Sequence, residues 1–188
     1  MTLAFVQKIS GFGTASVSLS LPSGGSTAGT MLACELSQTA STSFTPPSGS
    51  WIKGPSVVQG GGNVITEQWY LPNNPGGLAT AGTPLVFTGA ASQPCRGSLT
   101  EWSSAAGTSQ TLVTSVTATA AGPVASLPIT AVAGGASGGA GLVNWGASYS
   151  AAQAGSWTDP GGAWVNDQKF SNSPLIVSAY HQAGLTGT

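Results

Sequence analysis

The residues best placed to do chemistry are two glutamates in strand-like segments. Glu67 lies in the run NVITEQWYL and Glu101 in the run RGSLTEW, so each stands within two residues of a tryptophan. Glycoside hydrolysis needs two carboxylates about 5 to 10 Å apart across a sugar, and this pair would serve only if the two strands were neighbours. In an alternating strand, an exposed glutamate beside a buried aromatic residue is also an ordinary pattern. We therefore expect two exposed glutamates and no enzymatic activity.

Other catalytic or metal-binding sets are weaker still. A serine, histidine and aspartate triad would have to use His181, the only histidine, which lies close to the end of the sequence. Asp159, Asn166 and Asp167 could offer oxygen ligands to one Ca²⁺, but their spacing is not that of an EF-hand. We expect neither a metal site nor an organic cofactor.

The two cysteines, Cys34 and Cys95, leave two interpretations open. They are too few for a disulfide framework, and their spacing matches no metal-binding motif. They could be two small apolar core residues, or they could form one disulfide after release from a reducing compartment.

Charge is scarce, and this excludes several classes of partner. Only 5% of the 188 residues are charged and the net charge is -1, against roughly 25% charged residues in an ordinary soluble domain. No basic stripe exists that could hold a phosphate backbone, so nucleic acid is not an expected partner. No apolar run has the length of a membrane span. The first residues, MTLAFVQK, lack the features of a signal peptide, which predicts synthesis in a cytoplasm.

The dominant structural signal is alternation of apolar and hydroxyl-bearing residues with a period of two, which is typical of β-strands. The clearest case is TASVSLSL at 14–21, where Val17, Leu19 and Leu21 alternate with serines. About ten such runs separated by glycine- and proline-rich turns predict an all-β, two-sheet antiparallel sandwich of the jelly-roll type. The runs are 2–7, 14–21, 30–36, 63–71, 84–89, 96–102, 111–120, 125–132, 140–149 and 174–181.

One motif occurs twice, as PSGSWIK at 47–53 and PGGAWVN at 160–166. Proline fixes φ at the entry of a turn, and glycine can supply a positive φ. The tryptophan that follows, Trp51 or Trp164, should then begin a strand and cover the open end of the sandwich with its ring. We expect these two residues, together with Trp69 and Trp102, to anchor the fold. The alternative is that Trp51 and Trp164 are exposed platforms for sugar rings.

The flanking segments extend this similarity into an internal pseudo-repeat. A strand, a polar loop, the tryptophan motif, another loop and a strand with tyrosine near its end occur in that order twice. Two copies are too few for a solenoid, but they would suffice for two related halves of one sandwich. We therefore predict a single domain over 1–188, with halves of about 14–120 and 124–188.

A resemblance to a known family follows from the same segments. The succession AGTMLACEL, TPPSGSWIK, EQWYLPNNPGG, RGSLTEWSSA, GAGLVNWGA and DPGGAWVN resembles the β-sandwich domains of bacteriophage virion proteins and of some bacterial surface proteins. The similarity covers residues 14–181. One departure concerns the family pattern Glu-Tyr-Ser-Gly, which here reads Glu101-Trp102-Ser103-Ser104. The missing glycine puts the turn after this strand in doubt.

The resemblance implies a structural or adhesive role on a virion. We expect a capsid decoration protein or another surface component that binds the particle lattice as a homo-oligomer, with the major capsid or tail proteins as partners. Such a protein is made in the host cytoplasm and released by lysis, which agrees with a hydroxyl-rich surface and no signal peptide. The alternative is a carbohydrate-binding adhesin or tail-fibre module, in which Trp157, Asn73 and Asn74 would contact a glycan.

Overall fold

The structure is a computed structural model that describes residues 4–58, 64–103, 141–147, 165–169 and 175–181, the last three ranges as backbone only. Within these ranges every regular element is a β-strand, so the predicted all-β class is confirmed. The ten strands, in chain order, are β1 (Ala4–Thr14), β2 (Ser16–Leu19), β3 (Met31–Gln38), β4 (Ile52–Val58), β5 (Ile65–Leu71), β6 (Leu85–Thr88), β7 (Pro94–Ser103), β8 (Gly141–Ala147), β9 (Val165–Lys169) and β10 (Leu175–His181).

The main sheet has five antiparallel strands in the order β1-β7-β3-β5-β4. β3 lies at its centre, and all of its residues are buried, so this strand is covered on both faces. Leu32, Cys34 and Leu36 of β3 point to one face, because successive side chains alternate across a strand. This face, which we call the inner face, carries most of the apolar core.

A two-stranded sheet of β2 and β6 lies against the inner face. The chain turns sharply from β1 into β2 at Ala15, which has a φ of 63°. The two strands approach so closely that a Cβ at Gly11 would lie 2.9 Å from the carbonyl oxygen of Ser18. Val17, Leu19, Leu85 and Phe87 then complete the core from this side.

A third sheet has three antiparallel strands in the order β8-β10-β9. This is the order of β3-β5-β4 in the main sheet, with the last strand of each unit in the middle position. Tyr70 of β5 pairs with Ile52, and Tyr180 of β10 pairs with Val165. Ile52 and Val165 each directly follow the tryptophan of the repeated motif. The two units thus share their strand order and one equivalent tyrosine pairing.

Most of the alternating runs coincide with strands, and the tryptophan motif predicts two more. β4 and β9 begin directly after Trp51 and Trp164, as the motif predicted, and Gly49 has the expected positive φ of 129°. The runs 111–120 and 125–132 lie outside the described residues. The division into two sandwich halves also depends on residues that the structure does not describe.

Candidate functional site

Glu67 on β5 is fully buried on the inner face and accepts hydrogen bonds on both carboxylate oxygens. Its Oε1 accepts from the hydroxyls of Ser43 at 2.7 Å and Ser56 at 3.2 Å. Its Oε2 accepts from the backbone N–H of Phe44 at 3.0 Å and from the indole N–H of Trp69 at 3.2 Å. The carboxylate therefore connects the loop after β3 to the strands β4 and β5.

Lys53 on β4 supplies the positive charge for this carboxylate. Its Nζ lies 2.7 Å from Oε1 of Glu67 and donates to Oγ of Ser43 at 2.7 Å. The ammonium also lies 5.8 Å from the centre of the Trp69 ring, within the range of a cation–π contact. Since the Lys53 side chain is 38% exposed, the ion pair is the solvent-facing end of a buried polar cluster.

The pKa of Glu67 is lowered from its ordinary value. Burial by itself raises the pKa of this carboxyl, but the hydrogen bonds from Lys53, Ser43, the Phe44 N–H and Trp69 outweigh that effect. Glu67 is therefore ionised at neutral pH and holds the ammonium of Lys53. A carboxylate in this state is a weak base, and its lone pairs are already engaged by donors of the protein.

Glu101 on β7 forms a second, separate cluster at the other end of the inner face. Its Oε1 accepts from the backbone N–H of Thr27 at 2.6 Å and from the hydroxyl of Thr30 at 2.8 Å. Its Oε2 accepts from Nε2 of Gln7 on β1 at 2.5 Å. The Glu101 side chain is fully buried, so its carboxylate fastens the loop before β3 to the edge of the sheet.

Asn74 extends the second cluster into the loop after β5. Its Oδ1 accepts from the hydroxyl of Ser26 at 2.8 Å and from the Gly76 N–H at 2.8 Å. Its Nδ2 donates to the carbonyl of Thr30 at 2.9 Å. The side chain is buried. Asn74, predicted as a glycan contact, therefore lies inside the protein, where its amide holds two loops together.

Asn73, the neighbouring candidate, is exposed at the surface and has a φ of 47°. It occupies the left-handed region that asparagine tolerates better than most residues. Of the two predicted glycan contacts that lie among the described residues, Asn73 is the exposed one. Trp157 lies outside the described residues.

The two glutamates do not form a catalytic pair. β3 separates their strands, and Glu67 and Glu101 lie level with Leu36 and Leu32 of β3. Two strand spacings and four residue steps place their Cα atoms roughly 16 Å apart, and the two carboxylates accept hydrogen bonds from different loops instead of facing each other across a substrate-sized gap. The expectation that both glutamates are exposed was wrong, because each accepts hydrogen bonds that offset the cost of its burial.

Three of the four predicted anchoring tryptophans lie among the described residues, and all three are buried. Trp51 packs edge-to-face against Phe87, with ring centroids 5.0 Å apart. Trp102 is fully buried and packs edge-to-face against Phe5 at 5.6 Å. Trp69 joins the Glu67 cluster. Trp164 is outside the described residues.

Cys34 and Cys95 are both free and buried. Cys34 pairs with Leu99, whereas Cys95 pairs with Gln38 four residues further along β3. This offset places their Cα atoms roughly 14 Å apart, too far for a disulfide without rearranging the sheet. Burial, and then the nearby charge of Glu35, raise the pKa of Cys34. The structure therefore favours the interpretation as core residues.

Several buried polar residues were not singled out from the sequence. Gln7, Glu35 and Gln38 are all buried on strands. The Gln38 amide caps the turn before β7, accepting from the Ala90 N–H at 2.7 Å and donating to the carbonyl of Thr42. The signal that could have found them is a long polar side chain at an inward position of an alternating strand.

Neither the described part of the chain nor the comparisons point to a known active centre. Among the described residues, no group of three histidine, cysteine or acidic side chains could hold a metal ion. The same residues include no helix that is long and apolar enough to cross a bilayer. Comparisons with family models, curated proteins and solved structures found no match to this chain.

Proposed function

We propose that this chain is a structural virion protein of a bacteriophage, a capsid decoration protein or other surface component that binds the particle lattice. The observation that carries the proposal is that the described glutamates Glu67 and Glu101 serve the fold and do not form an exposed binding site. Glu67 and Glu101 are buried and fasten loops to the main sheet, and Lys53 is paired with one of them. The sequence is otherwise rich in serine, threonine and glycine, which suits permanent packing against neighbouring proteins more than reversible ionic contacts.

The loop clusters support the same role. Loops that carry a catalytic or ligand-binding site are commonly mobile, whereas here two loops are fixed by buried carboxylates and a third by Asn74. A rigid, neutral surface loses little conformational entropy when it is packed into a lattice. We place the protein in the virion, after synthesis in the host cytoplasm and release by lysis.

We further propose that the fold is a jelly-roll-like sandwich built from an internal pseudo-repeat. The shared strand order of β3-β5-β4 and β8-β10-β9 supports this, as do the equivalent pairings of Tyr70 and Tyr180. A pseudo-repeat places two similar surfaces on one chain, which suits contacts with a repeating lattice.

Mass spectrometry of purified particles tests the virion role, and a glycan array tests the carbohydrate-binding alternative. We expect the protein among the virion components in many copies per particle. Its absence from particles, together with reproducible glycan binding that Trp157→Ala abolishes, would replace the lattice role with that of an adhesin.

A further inference from the structure

The two edges of the main sheet differ in how well they are protected against pairing with another strand. β4, at one edge, contains Pro55, the exposed Lys53 and a register shift between Lys53 and Ser56. Proline, lysine and bulges are the features by which natural proteins block the addition of a strand to an edge. The β4 edge is therefore protected along its length.

β1, at the opposite edge, also has a lysine and a register shift, but it has no proline and is regular over more residues. It has 11 residues, no proline and one charged residue, Lys8. Its register against β7 shifts once, between Phe5 and Gln7, and is regular from Gln7 to Thr14. Val6 and Phe12 are large apolar side chains with exposures of 42% and 73%. Among the described strands β1 pairs only with β7, and no described strand lies along its outer edge, where Val6 and Phe12 are exposed.

We propose that the outer edge of β1 binds β1 of a second copy of this chain, antiparallel, so that two main sheets form one continuous sheet of ten strands. The inference rests on the proposed lattice role, because it identifies the contact through which that protein forms a homo-oligomer. Strand addition of this kind is driven by main-chain hydrogen bonds, with side chains selecting the partner.

The sequence of β1 is self-complementary about its own midpoint. In an isologous pair the same strand meets itself around a two-fold axis, and Ile9 is the central residue of Ala4–Thr14. An axis at Ile9 pairs the regular segment from Gln7 to Gly11 with itself and brings Phe12 of one copy beside Val6 of the other, the residue at the register shift. The two most exposed apolar side chains of β1 would then cover each other.

Charge favours the same pairing. With the axis at Ile9, Lys8 lies opposite Ser10 of the other copy, so the two ammonium groups do not face each other. Like charges placed directly opposite on paired strands are destabilising, and this arrangement avoids them. Arg96 stacks on Phe12 within one chain, 4.9 Å from the ring centroid, and leaves the rest of that ring exposed to meet Val6.

Sedimentation equilibrium of the full chain tests the contact, with a matched pair of variants. Val6 on β1 and Val58 on β4 are exposed to 42% and 40% and lie on opposite edges of one sheet. We expect the wild type and Val58→Lys to be dimeric at micromolar concentration, and Val6→Lys to be monomeric. A monomeric wild type, or equal dissociation of both variants, would overturn the proposal.

Thiol cross-linking tests the register. An equimolar mixture of Val6→Cys and Phe12→Cys proteins should give a disulfide-linked heterodimer on mild oxidation, whereas either variant alone should give little. Equal cross-linking in the Val6→Cys protein alone would overturn the axis at Ile9. If the wild type is monomeric but Val6→Lys loses binding to particles, the edge binds another virion protein, which overturns self-pairing and leaves the proposed function intact.

Discussion

At the residue scale, burial determines what the two candidate catalytic glutamates do in the folded protein. Glu67 and Glu101 have the residue type of a catalytic pair, but each is the centre of its own hydrogen-bond cluster. The cost of burying a carboxylate is offset only where several donors converge on it. These glutamates therefore show where the loops are attached to the sheet.

Replacing Glu67 by glutamine should lower the free energy of unfolding by about 1 to 3 kcal/mol at neutral pH, because charge-assisted hydrogen bonds are lost. The folded-state pKa of Glu67 is lowered, so its stabilisation is present above the unfolded pKa of about 4.3 and is lost as pH falls through the folded value. Denaturant unfolding from neutral to acidic pH measures this.

The pH dependence of the stability loss distinguishes a lost charge at Glu67 from a simple packing defect. The difference between wild type and Glu67→Gln should narrow as the pH falls, and a difference that stays constant would contradict the role of the charge. Lys53→Met, measured alone and combined with Glu67→Gln, completes a double-mutant cycle for the ion pair.

Replacing Trp51 by alanine should lower stability by about 3 to 5 kcal/mol, because a buried aromatic side chain is removed from the core. Trp51→Phe is the matched control and should cost clearly less, since it keeps a ring against Phe87. The indole N–H has no hydrogen-bond partner among the described residues. Thermal unfolding compares the two, and an alanine variant that melts like the wild type would show that the ring does not anchor the fold.

At the element scale, the loops are shaped by contacts that local sequence does not reveal. Gly76 and Gly77 both have positive φ, 84° and 68°. A Cβ at Gly76 would lie 2.9 Å from the backbone nitrogen of Ala28, whereas a Cβ at Gly77 would meet nothing within 4 Å. The first glycine is therefore required by packing as well as by conformation.

Alanine substitutions at these two glycines separate the two requirements. Gly77→Ala should cost about 1 kcal/mol from backbone strain alone. Gly76→Ala should cost about 1 to 3 kcal/mol more, because it also pushes against the loop that Glu101 and Asn74 hold. Equal losses of stability in the two variants, measured by chemical denaturation, would show that this loop is not tightly packed.

The strands themselves were the most predictable elements. Alternation located β2, β5 and β6, because one face of each is buried and the other is not. β3 is buried throughout, but its short run of apolar residues was enough to predict a strand there. The contacts that sequence could not supply were those between strands distant in the chain, such as β1 with β7. Asn74 and Glu101 are buried because of such long-range contacts.

At the scale of the whole molecule, charge and edges favour assembly. A chain with 5% charged residues has little electrostatic repulsion to keep copies apart, and β1, at one edge of the main sheet, lacks the proline that β4 has at the other edge. In the proposed assembly, Glu67 and Glu101 fasten loops to the main sheet, and the outer edge of β1 binds another copy.

The most direct test of the central claim is the protein composition of purified phage particles, measured by quantitative mass spectrometry after removal of free protein. We expect the chain to be a virion component present in many copies per particle, at a fixed ratio to the major capsid protein. Its absence from particles, with the protein recovered only in the soluble lysate, would contradict the proposed function.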